Sequence, residues 1–331
     1  MSKAVALTEV WRGPIVESLH FGHAVICDAK GDIVESWGDP AAVVYPRSSA
    51  KMIQALPLIE SGAAEAFGLD SEQLALACAS HQGAAVHTDR VNAWLKELGA
   101  NDGNLRCGPA MPQDRLAFNT LVKTDSSPCQ VHNNCSGKHA GFLTLSKHLG
   151  GSAEYIEIDH PVQKACLAAF EDLTEETSPG YGLDGCSAPN FLSTMHGMAR
   201  AMGWFAAAED GADARQSAAV RLTQAMLKHP LLVAGERRAC TELMRACTEP
   251  VALKTGAEGY FVAIAPTRKL GIALKILDGS TRAANCTIAT LLVRLGVLDP
   301  EHPTTKRFMN APVLNKNKIV TGAIRPVSDL L

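Results

Sequence analysis

Ser48 and Lys51 have the residue types and the spacing of a nucleophile and its base. They stand three positions apart where a helical pattern begins, so the hydroxyl and the amine lie one turn apart on the same face. A serine hydroxyl needs a base to become a nucleophile, and a lysine with a lowered pKa can serve. The same tetrapeptide also fits a serine N-cap beside a solvated lysine. Taken alone, the pair leaves both interpretations open.

Two further segments favour the catalytic interpretation. Ser80 ends a helical run, and Lys254-Thr255-Gly256 directly precedes a strand pattern. A Ser-x-x-Lys, then a serine, then a Lys-Thr-Gly is the order found in serine β-lactamases and penicillin-binding proteins. The match is imperfect, because Gln82 stands where those proteins have an asparagine. Together the segments predict acyl transfer through an active serine, with Lys254 as a second cation.

Residues 133–141 form a second group of candidate residues. Gly137-Lys138 resembles part of a phosphate loop, but a histidine follows where that loop needs Ser or Thr, so nucleotide binding is rejected. At a helix start, Cys135, Lys138 and His139 would face the same side. A second glycine-rich loop ends in Cys186, and two thiols with one or two nitrogen ligands would make a tetrahedral zinc site. No Cys-x-x-Cys pair is present, so the spacing leaves zinc binding open.

In combination these segments resemble the asparaginase II family, and within it the Rhizobium etli-type (class 3) L-asparaginases. The resemblance runs from about residue 10 to residue 325. The segments that carry it are Arg47–Lys51, Cys78–His81, Asn134–His139, Gly182–Cys186 and Lys254–Gly259. It implies a serine β-lactamase-like fold, a homodimer and the hydrolysis of L-asparagine to L-aspartate and ammonia.

The resemblance also implies roles for single residues. The family has two serine–lysine pairs and a metal site made of two cysteines and a lysine. The pairs correspond to Ser48 with Lys51 and Ser80 with Lys254. The ligands of the expected zinc correspond to Cys135, Lys138 and Cys186.

The groups on L-asparagine suggest which side chains would bind it. Arg47, beside the nucleophile, would hold the α-carboxylate in a bidentate contact. Asp184 would take the α-ammonium group, with His139 as a nearby hydrogen-bond partner. Ser48 would attack the side-chain amide, with Lys51 as the base.

Later steps of the expected reaction involve the second pair. Ser80 and Lys254 would relay a proton to the leaving nitrogen, and water would then hydrolyse the β-aspartyl ester. Backbone N–H groups at the start of the Ser48 helix would stabilise the oxyanion. Zinc would position the substrate rather than polarise the amide. Because Ser48 and Ser80 each have a lysine candidate, the sequence leaves open which serine is acylated.

Two other functions compete with this interpretation. A glutaminase or a β-lactamase-like hydrolase would use the same Ser48–Lys51 pair, and a pocket discriminates one methylene by only ~1–3 kcal/mol. A zinc-stabilised binding module, in which Ser48 is only an N-cap, would have no turnover at all.

The elements that must position these residues follow from periodicity. Strand patterns lie near both ends of the chain, at Ala4–Val10, His23–Asp28, Asp32–Trp37, Gly259–Ala265 and Leu270–Leu277. Helical patterns fill the middle, including Ser49–Ser61, Ser71–Ser80 and Ala188–Met202, and residues 100–135 are predicted to be irregular. The predicted fold class is therefore α/β, with an antiparallel sheet built from both termini and a helical insertion. We expect a single compact unit over 1–331, with a sheet subdomain at about 1–46 plus 250–331 and a helical subdomain at about 47–249.

Composition limits the partners and the compartment. The 331 residues include 31 Lys and Arg against 34 Asp and Glu, a net charge of −3, with 47% apolar residues. This balance excludes a disordered chain and a polyanion binder driven by bulk charge. We expect a small-molecule substrate, no nucleic-acid or membrane partner, and a cytoplasmic protein, because neither a secretory signal nor a membrane span is visible. In such a compartment the ten cysteines are thiols rather than a disulfide framework.

Overall fold

The computed structural model describes residues 3–331, which form two compact units. The first, called here the sheet unit, holds the chain up to Ser49 together with Ser193–Ala207 and Ala239–Leu331. The second, called here the helical unit, holds Ala50–Leu192 and Ala208–Arg238. Compared with the expected boundaries, the sheet unit also takes in residues 47–49, 193–207 and 239–249.

Strands from both ends of the chain form one antiparallel sheet in the sheet unit. Its order is β11-β12-β1-β2-β10-β9-β8, and β3 pairs with β2. The strands in chain order are β1 Val5–Arg12, β2 Ile15–Cys27, β3 Ile33–Trp37, β4 Val43–Val44, β5 Tyr181–Leu183, β6 Pro189–Phe191, β7 Ser193–Thr194, β8 Ala252–Gly256, β9 Tyr260–Ala265, β10 Leu270–Ile276, β11 Ala311–Leu314 and β12 Val320–Pro326.

Helices occupy most of the chain between β4 and β8. The helices in chain order are α1 Lys51–Glu60, α2 Ala63–Ala66, α3 Ser71–Ala77, α4 Ala85–Glu97, α5 Arg115–Lys123, α6 Ser136–His148, α7 Pro161–Thr174, α8 Met195–Ala207, α9 Ala214–Lys228, α10 Pro230–Val233, α11 Ala239–Ala246, α12 Thr281–Arg294 and α13 Pro303–Met309. This confirms the predicted α/β class, with an antiparallel sheet built from strands near both ends of the chain and helices between them.

Helix α8 packs against strand β10 of the sheet. A Cβ on Gly271 would lie 2.0 Å from the Gly203 nitrogen, so this approach of helix to strand requires glycine. Every residue of the neighbouring strand β9 is buried, which fits a strand covered on both faces.

Helices α1 and α6 are the most enclosed helices of the helical unit. Residues 51–59 of α1 and 136–146 of α6 are all buried. Helix α1 contacts α6, α7 and α9. Because these two helices are enclosed, every polar side chain on them must find a partner inside the protein. Lys51, Lys138 and His139 are such side chains.

The structure corrects three details of the predicted elements. Residues 100–135 are not wholly irregular, because they contain α5, whose first turn is capped by the Asp114 carboxylate. The predicted helix Ala188–Met202 begins only at Met195, because β6 pairs with β5 and β7 pairs with β4. The Lys254-Thr255-Gly256 segment precedes strand β9 as predicted, but it also forms the end of a strand that was not predicted, β8, where Gly256 pairs with Tyr260 of β9.

Along residues 3–331, no helix combines the length and the apolar character needed to cross a bilayer.

Candidate active site

Lys51, the first residue of α1, contacts three acceptors in the helical unit. Its Nζ donates to the Ser80 Oγ at 3.0 Å, to the Cys135 Sγ at 3.2 Å and to the Ala79 carbonyl. The side chain is only 1% exposed. An ammonium has three donors, so these contacts use all of them, and none of the acceptors is a carboxylate. The arrangement allows a proton to move between Lys51 and the Ser80 hydroxyl.

Ser80 lies in the loop after α3, and hydrogen bonds on both sides fix that loop. The Ser80 N–H donates to the Val233 carbonyl at 2.9 Å, and the His81 N–H donates to the Asn134 carbonyl at 3.2 Å. The loop then turns at Gly83, whose φ is +70°. The predicted helix Ser71–Ser80 therefore ends at Ala77, and Ser80 projects from a loop that the surrounding backbone holds.

The His81 ring stabilises this loop through hydrogen bonds made by both of its nitrogens. Its Nδ1 accepts from the Gly83 N–H at 3.1 Å, and its Nε2 lies 2.9 Å from the Ser136 Oγ. The ring stacks on His87 with centroids 4.8 Å apart. Burial, followed by the nearby His87 and Lys51, holds the pKa of His81 well below its usual range. His81 is therefore neutral at pH 7 and acts as a structural tie next to Ser80.

Cys135, Lys138 and Cys186 also converge in the helical unit. The Lys138 Nζ donates to the Cys186 Sγ at 3.1 Å, and all three side chains are buried. A hydrogen bond from Cys135 outweighs burial and, with the charge of Lys138, holds the pKa of Cys186 well below its usual range. The same hydrogen bond, together with burial, raises the pKa of Cys135. Burial lowers the pKa of Lys138, but its interactions with Cys186, Cys135 and Asp184 outweigh this, and the net pKa is raised.

This donor set fits a zinc ion with one open position. Thiolates are preferred zinc ligands, and the lowered pKa of Cys186 favours its thiolate form. Within residues 3–331 no three His, Cys, Asp or Glu side chains are grouped to hold a metal, so a zinc ion here would need Lys138 as its third ligand. For that the ammonium has to lose its proton, and metal binding favours such a loss because ligands must be deprotonated.

His139 and Asp184 complete the predicted residues of the helical unit. The fully buried His139 ring places its Nδ1 3.1 Å from the Tyr155 hydroxyl, and its Nε2 has no hydrogen-bond partner. Burial and then the charge of Lys138 hold the pKa of His139 well below its usual range. Asp184 lies in the loop between β5 and β6, where its Oδ1 accepts from the Gly185 N–H and its Oδ2 is 3.7 Å from the Cys186 Sγ.

Arg47, Ser48 and Lys254 belong to the sheet unit. Ser48 is half-buried in the 3₁₀ turn Arg47–Ala50, and Lys254 is fully buried in β8 with its Nζ 2.6 Å from the Thr255 carbonyl. The Ser49 hydroxyl joins the two segments by donating to the Lys254 carbonyl at 3.0 Å. The Ser49 N–H donates to the Pro46 carbonyl, so it is not available as the expected oxyanion donor.

Gly256 allows β8 to approach this turn closely. A Cβ at that position would lie 2.7 Å from the Pro46 carbonyl oxygen and 2.9 Å from the Ser49 Oγ. The glycine of the Lys-Thr-Gly segment is therefore needed for packing beside Ser48. Sequence reasoning identified the segment but missed the contribution of Ser49.

Tyr155 is another residue that sequence reasoning missed. Its hydroxyl contacts His139, and it lies between helices α6 and α7 in a stretch without a clear pattern. No local signal identifies it, because the contact depends on how the helical unit packs.

Comparison with known proteins gives a match over nearly the whole chain. The family model described as L-asparaginase II matches residues 8–326. A search of curated proteins finds no match. A solved structure of Mglu in its native form has a TM-score of 0.44 and 12% identity, covering 85% of this chain and 66% of that chain. A Bacillus glutaminase structure has a TM-score of 0.46 and 13% identity, covering 84% of this chain and 91% of that chain. The chain thus spans about two thirds of the length of Mglu.

Proposed function

Because the chain belongs to the L-asparaginase II family, we propose that it hydrolyses L-asparagine to L-aspartate and ammonia as a Rhizobium etli-type (class 3) enzyme. Family membership makes it an amidohydrolase of the asparaginase kind. The substrate, the serine–lysine mechanism and the zinc ion are the proposal. The observation that supports it most is the buried Lys51 Nζ, 3.0 Å from the Ser80 Oγ and without a carboxylate partner among residues 3–331.

In the acylation step, the Ser48 Oγ attacks the side-chain carbonyl carbon of L-asparagine. Lys51 takes the hydroxyl proton, and the collapsing intermediate breaks its C–N bond. Ser80 and Lys254 deliver a proton to the departing nitrogen, which leaves as ammonia. The product of this step is a β-aspartyl ester on Ser48. The 3.0 Å contact between the Lys51 Nζ and the Ser80 Oγ supports proton exchange between these two side chains.

In the deacylation step, water attacks the ester carbonyl carbon. The same bases take a proton from the water and return one to the Ser48 oxygen, which releases L-aspartate. The reaction consumes one water molecule and leaves the side chains as they began. Arg47 would hold the α-carboxylate throughout, and Asp184 the α-ammonium group.

The proposed zinc would be held by Cys135, Lys138 and Cys186. When bound, it supplies a positive charge that keeps its thiolate and amine ligands deprotonated. Cys186 lies two residues after Asp184, so fixing its sulfur would also fix the loop that carries the substrate's ammonium partner. This supports a role for the site in positioning the substrate.

Ammonia release from L-asparagine by the purified protein tests the proposal directly. L-Glutamine and nitrocefin, in parallel assays, test the glutaminase and β-lactamase-like alternatives. Ser48→Ala should abolish release while the circular dichroism spectrum stays that of the wild type. If the wild-type protein turns over none of the three substrates, it is a binding module and the proposal is wrong.

A trapping experiment identifies the nucleophile. Acid quenching during turnover, followed by peptide mass spectrometry, should find the β-aspartyl ester on the peptide that contains Ser48. An ester on Ser80 alone would reverse the roles of the two serines.

The assembly and the compartment are part of the proposal as well. Among residues 3–331, which include all ten cysteines, no disulfide is formed, and this supports a reducing, cytoplasmic location. The family resemblance supports a homodimer. Sedimentation analysis tests this, because a monomer at micromolar concentration would contradict it.

A further inference from the structure

The Tyr155 hydroxyl is held in place by a donor on one side and the His139 ring on the other. It accepts from the backbone N–H of Arg106 at 2.8 Å, and it lies 3.1 Å from the His139 Nδ1. The Tyr155 side chain is fully buried, and its own carbonyl accepts from the Gln163 side chain at 2.8 Å. Arg106 is fixed in turn by a bidentate contact with Glu154. The hydroxyl therefore has a defined position.

These contacts decide where the hydroxyl proton goes. Because the Arg106 N–H already donates to the Tyr155 oxygen, the Tyr155 proton has the His139 Nδ1 as its acceptor. In the opposite arrangement the ring would donate and the phenolic proton would be buried without an acceptor, which is unfavourable. Burial also raises the pKa of Tyr155, so the hydroxyl keeps its proton. The His139 ring thus accepts at Nδ1 and carries its proton on Nε2.

The resulting Nε2–H group is a buried donor with no acceptor. His139 is fully buried, and its Nε2 contacts no hydrogen-bond partner among residues 3–331. Buried polar groups in native proteins nearly always have partners, so this donor needs an acceptor from outside the chain, a water molecule or a ligand. The ring is also packed by Phe142, with centroids 5.8 Å apart, so it is held in one orientation. A carboxylate oxygen is the acceptor that makes the strongest bond with such a donor.

We propose that Tyr155 is a positioning residue that fixes His139 as an Nε2–H donor to the α-carboxylate of the substrate. The assignment rests on the proposed L-asparaginase function, which supplies that carboxylate. It also means that His139 is not a fourth metal ligand, because a ligating Nε2 must offer a lone pair. A hydrogen bond made equally in the ground state and the transition state affects KM and leaves kcat unchanged.

Tyr155→Phe removes the hydroxyl and keeps the ring. Without the hydroxyl, His139 divides between its two tautomers. If the fraction of molecules with the His139 proton on Nε2 falls to about one fifth, KM for L-asparagine rises roughly fivefold with little change in kcat. The matched control is Thr144→Val on the same helix, which removes a buried hydroxyl that donates only to the Ala140 carbonyl at 2.8 Å. A KM that rises no more in Tyr155→Phe than in this control overturns the proposal.

Replacing His139 by an amide residue tests which of its two ring nitrogens binds the substrate. Gln places its amide nitrogen near the position of Nε2, whereas Asn places its amide near Nδ1. His139→Asn should raise KM at least about tenfold, the loss of one charge-assisted hydrogen bond. His139→Gln should keep KM within a few-fold of the wild type, and adding Tyr155→Phe to it should change KM little, because an amide has no tautomers to select. A fivefold further rise in that double variant would contradict the proposal.

Nitrogen NMR of histidine-labelled protein tests the proton position without any turnover. The His139 signals, assigned by their loss in His139→Gln, should show a protonated Nε2 and a bare Nδ1. Tyr155→Phe should shift them toward a tautomer mixture. A wild-type ring protonated on Nδ1 overturns the role of Tyr155. If the spectra agree and L-asparagine is not hydrolysed, the proposed function fails while the Tyr155–His139 arrangement stands.

Discussion

Lys51 and Lys138 are both buried in the helical unit, yet their surroundings differ in kind. Lys51 donates to a hydroxyl, a carbonyl and the Cys135 sulfur. Lys138 donates to the Cys186 sulfur, whose pKa is lowered, and its Nζ also lies 5.2 Å from the Phe142 ring centroid. Burial alone therefore does not define the role of a lysine. Its acceptors do, because a hydroxyl can exchange a proton with the amine whereas a thiolate holds the ammonium as an ion pair.

The strongest test of this contrast is Lys51→Met. Removing a general base reduces the rate by about 10²–10⁴-fold, so we expect ammonia release from L-asparagine to fall by at least about 10²-fold. Lys51→Arg should be nearly as inactive, because arginine keeps its proton at any working pH. Steady-state assays with equal amounts of folded protein give the comparison. More than a tenth of wild-type activity in Lys51→Arg would mean that only the charge of Lys51 is needed.

Lys138→Met should have a smaller effect on turnover and a larger one on metal content. If Lys138 is the third ligand, zinc content measured by elemental analysis should drop at least tenfold, and KM should rise more than kcat falls. Removing the metal from the wild-type protein with a chelator should raise its KM to that of the Lys138→Met variant. A variant that keeps one zinc per chain would show that Lys138 is not a ligand. Unchanged KM and kcat after metal removal would disprove a positioning role for the metal.

Gly256→Ala extends the comparison to Lys254, the buried lysine of the sheet unit. The added methyl group would lie 2.7 Å from the Pro46 oxygen, so either β8 or the turn that carries Ser48 must shift. Misplacing a reacting group by about 1 Å can reduce the rate up to ~10²-fold, so we expect kcat to fall about tenfold. Gly103→Ala, where φ is likewise not positive and only the Asn101 Oδ1 lies within 4 Å, at 3.2 Å, is the control for a methyl group added without a clash with the backbone. Equal kcat in the two variants would show that the turn does not depend on Gly256.

The smallest expected effect is the acid sensitivity of the loop that holds Ser80 beside Lys51. Burial lowers the pKa of His87, and burial with neighbouring charge lowers that of His81. A histidine with a depressed folded pKa costs nothing above the unfolded value of about 6.5, and stability is lost as the pH falls below it. The slope reaches at most about 1.4 kcal/mol per pH unit for each histidine.

Urea unfolding at pH 7.5 and pH 5.5 measures this loss. His87→Gln removes one of the two groups, so the difference in unfolding free energy between the two pH values should shrink. A variant with the same difference as the wild type would show that His87 does not contribute. Neither histidine is a proposed ligand, so the effect should be independent of zinc.

The sequence predicts the overall arrangement of this chain well. Hydrophobic runs near both ends indicate strands that pair antiparallel, and β1, β2 and β10 lie where those runs are. The family assignment follows from motifs that are individually weak, because Ser48-x-x-Lys51 and Lys254-Thr255-Gly256 gain meaning only in combination.

What the sequence could not predict depends on tertiary pairing. Residues 189–191 fall within the predicted helix Ala188–Met202, but pairing with β5 makes them a strand. Helix α5 has no buried residue, so its periodicity is not tied to the core. The Lys-Thr-Gly segment joins β8 because Glu258 and Gly259 adopt positive φ values in the turn that follows. Tyr155 reaches His139 only through packing, which leaves no trace in spacing.

The hairpin of β5 and β6 should open more easily than the rest of the helical unit. From Tyr181 to Ser187 only Cys186 is buried, and an isolated three-residue hairpin is at best marginally stable in water. Opening of this segment should therefore need less free energy than global unfolding, and backbone amides such as Asp184 should exchange early with deuterated solvent. A ligand that holds the Cys186 sulfur should slow this exchange. Samples with more bound metal should therefore show slower amide exchange in the loop that carries Asp184, the proposed substrate contact.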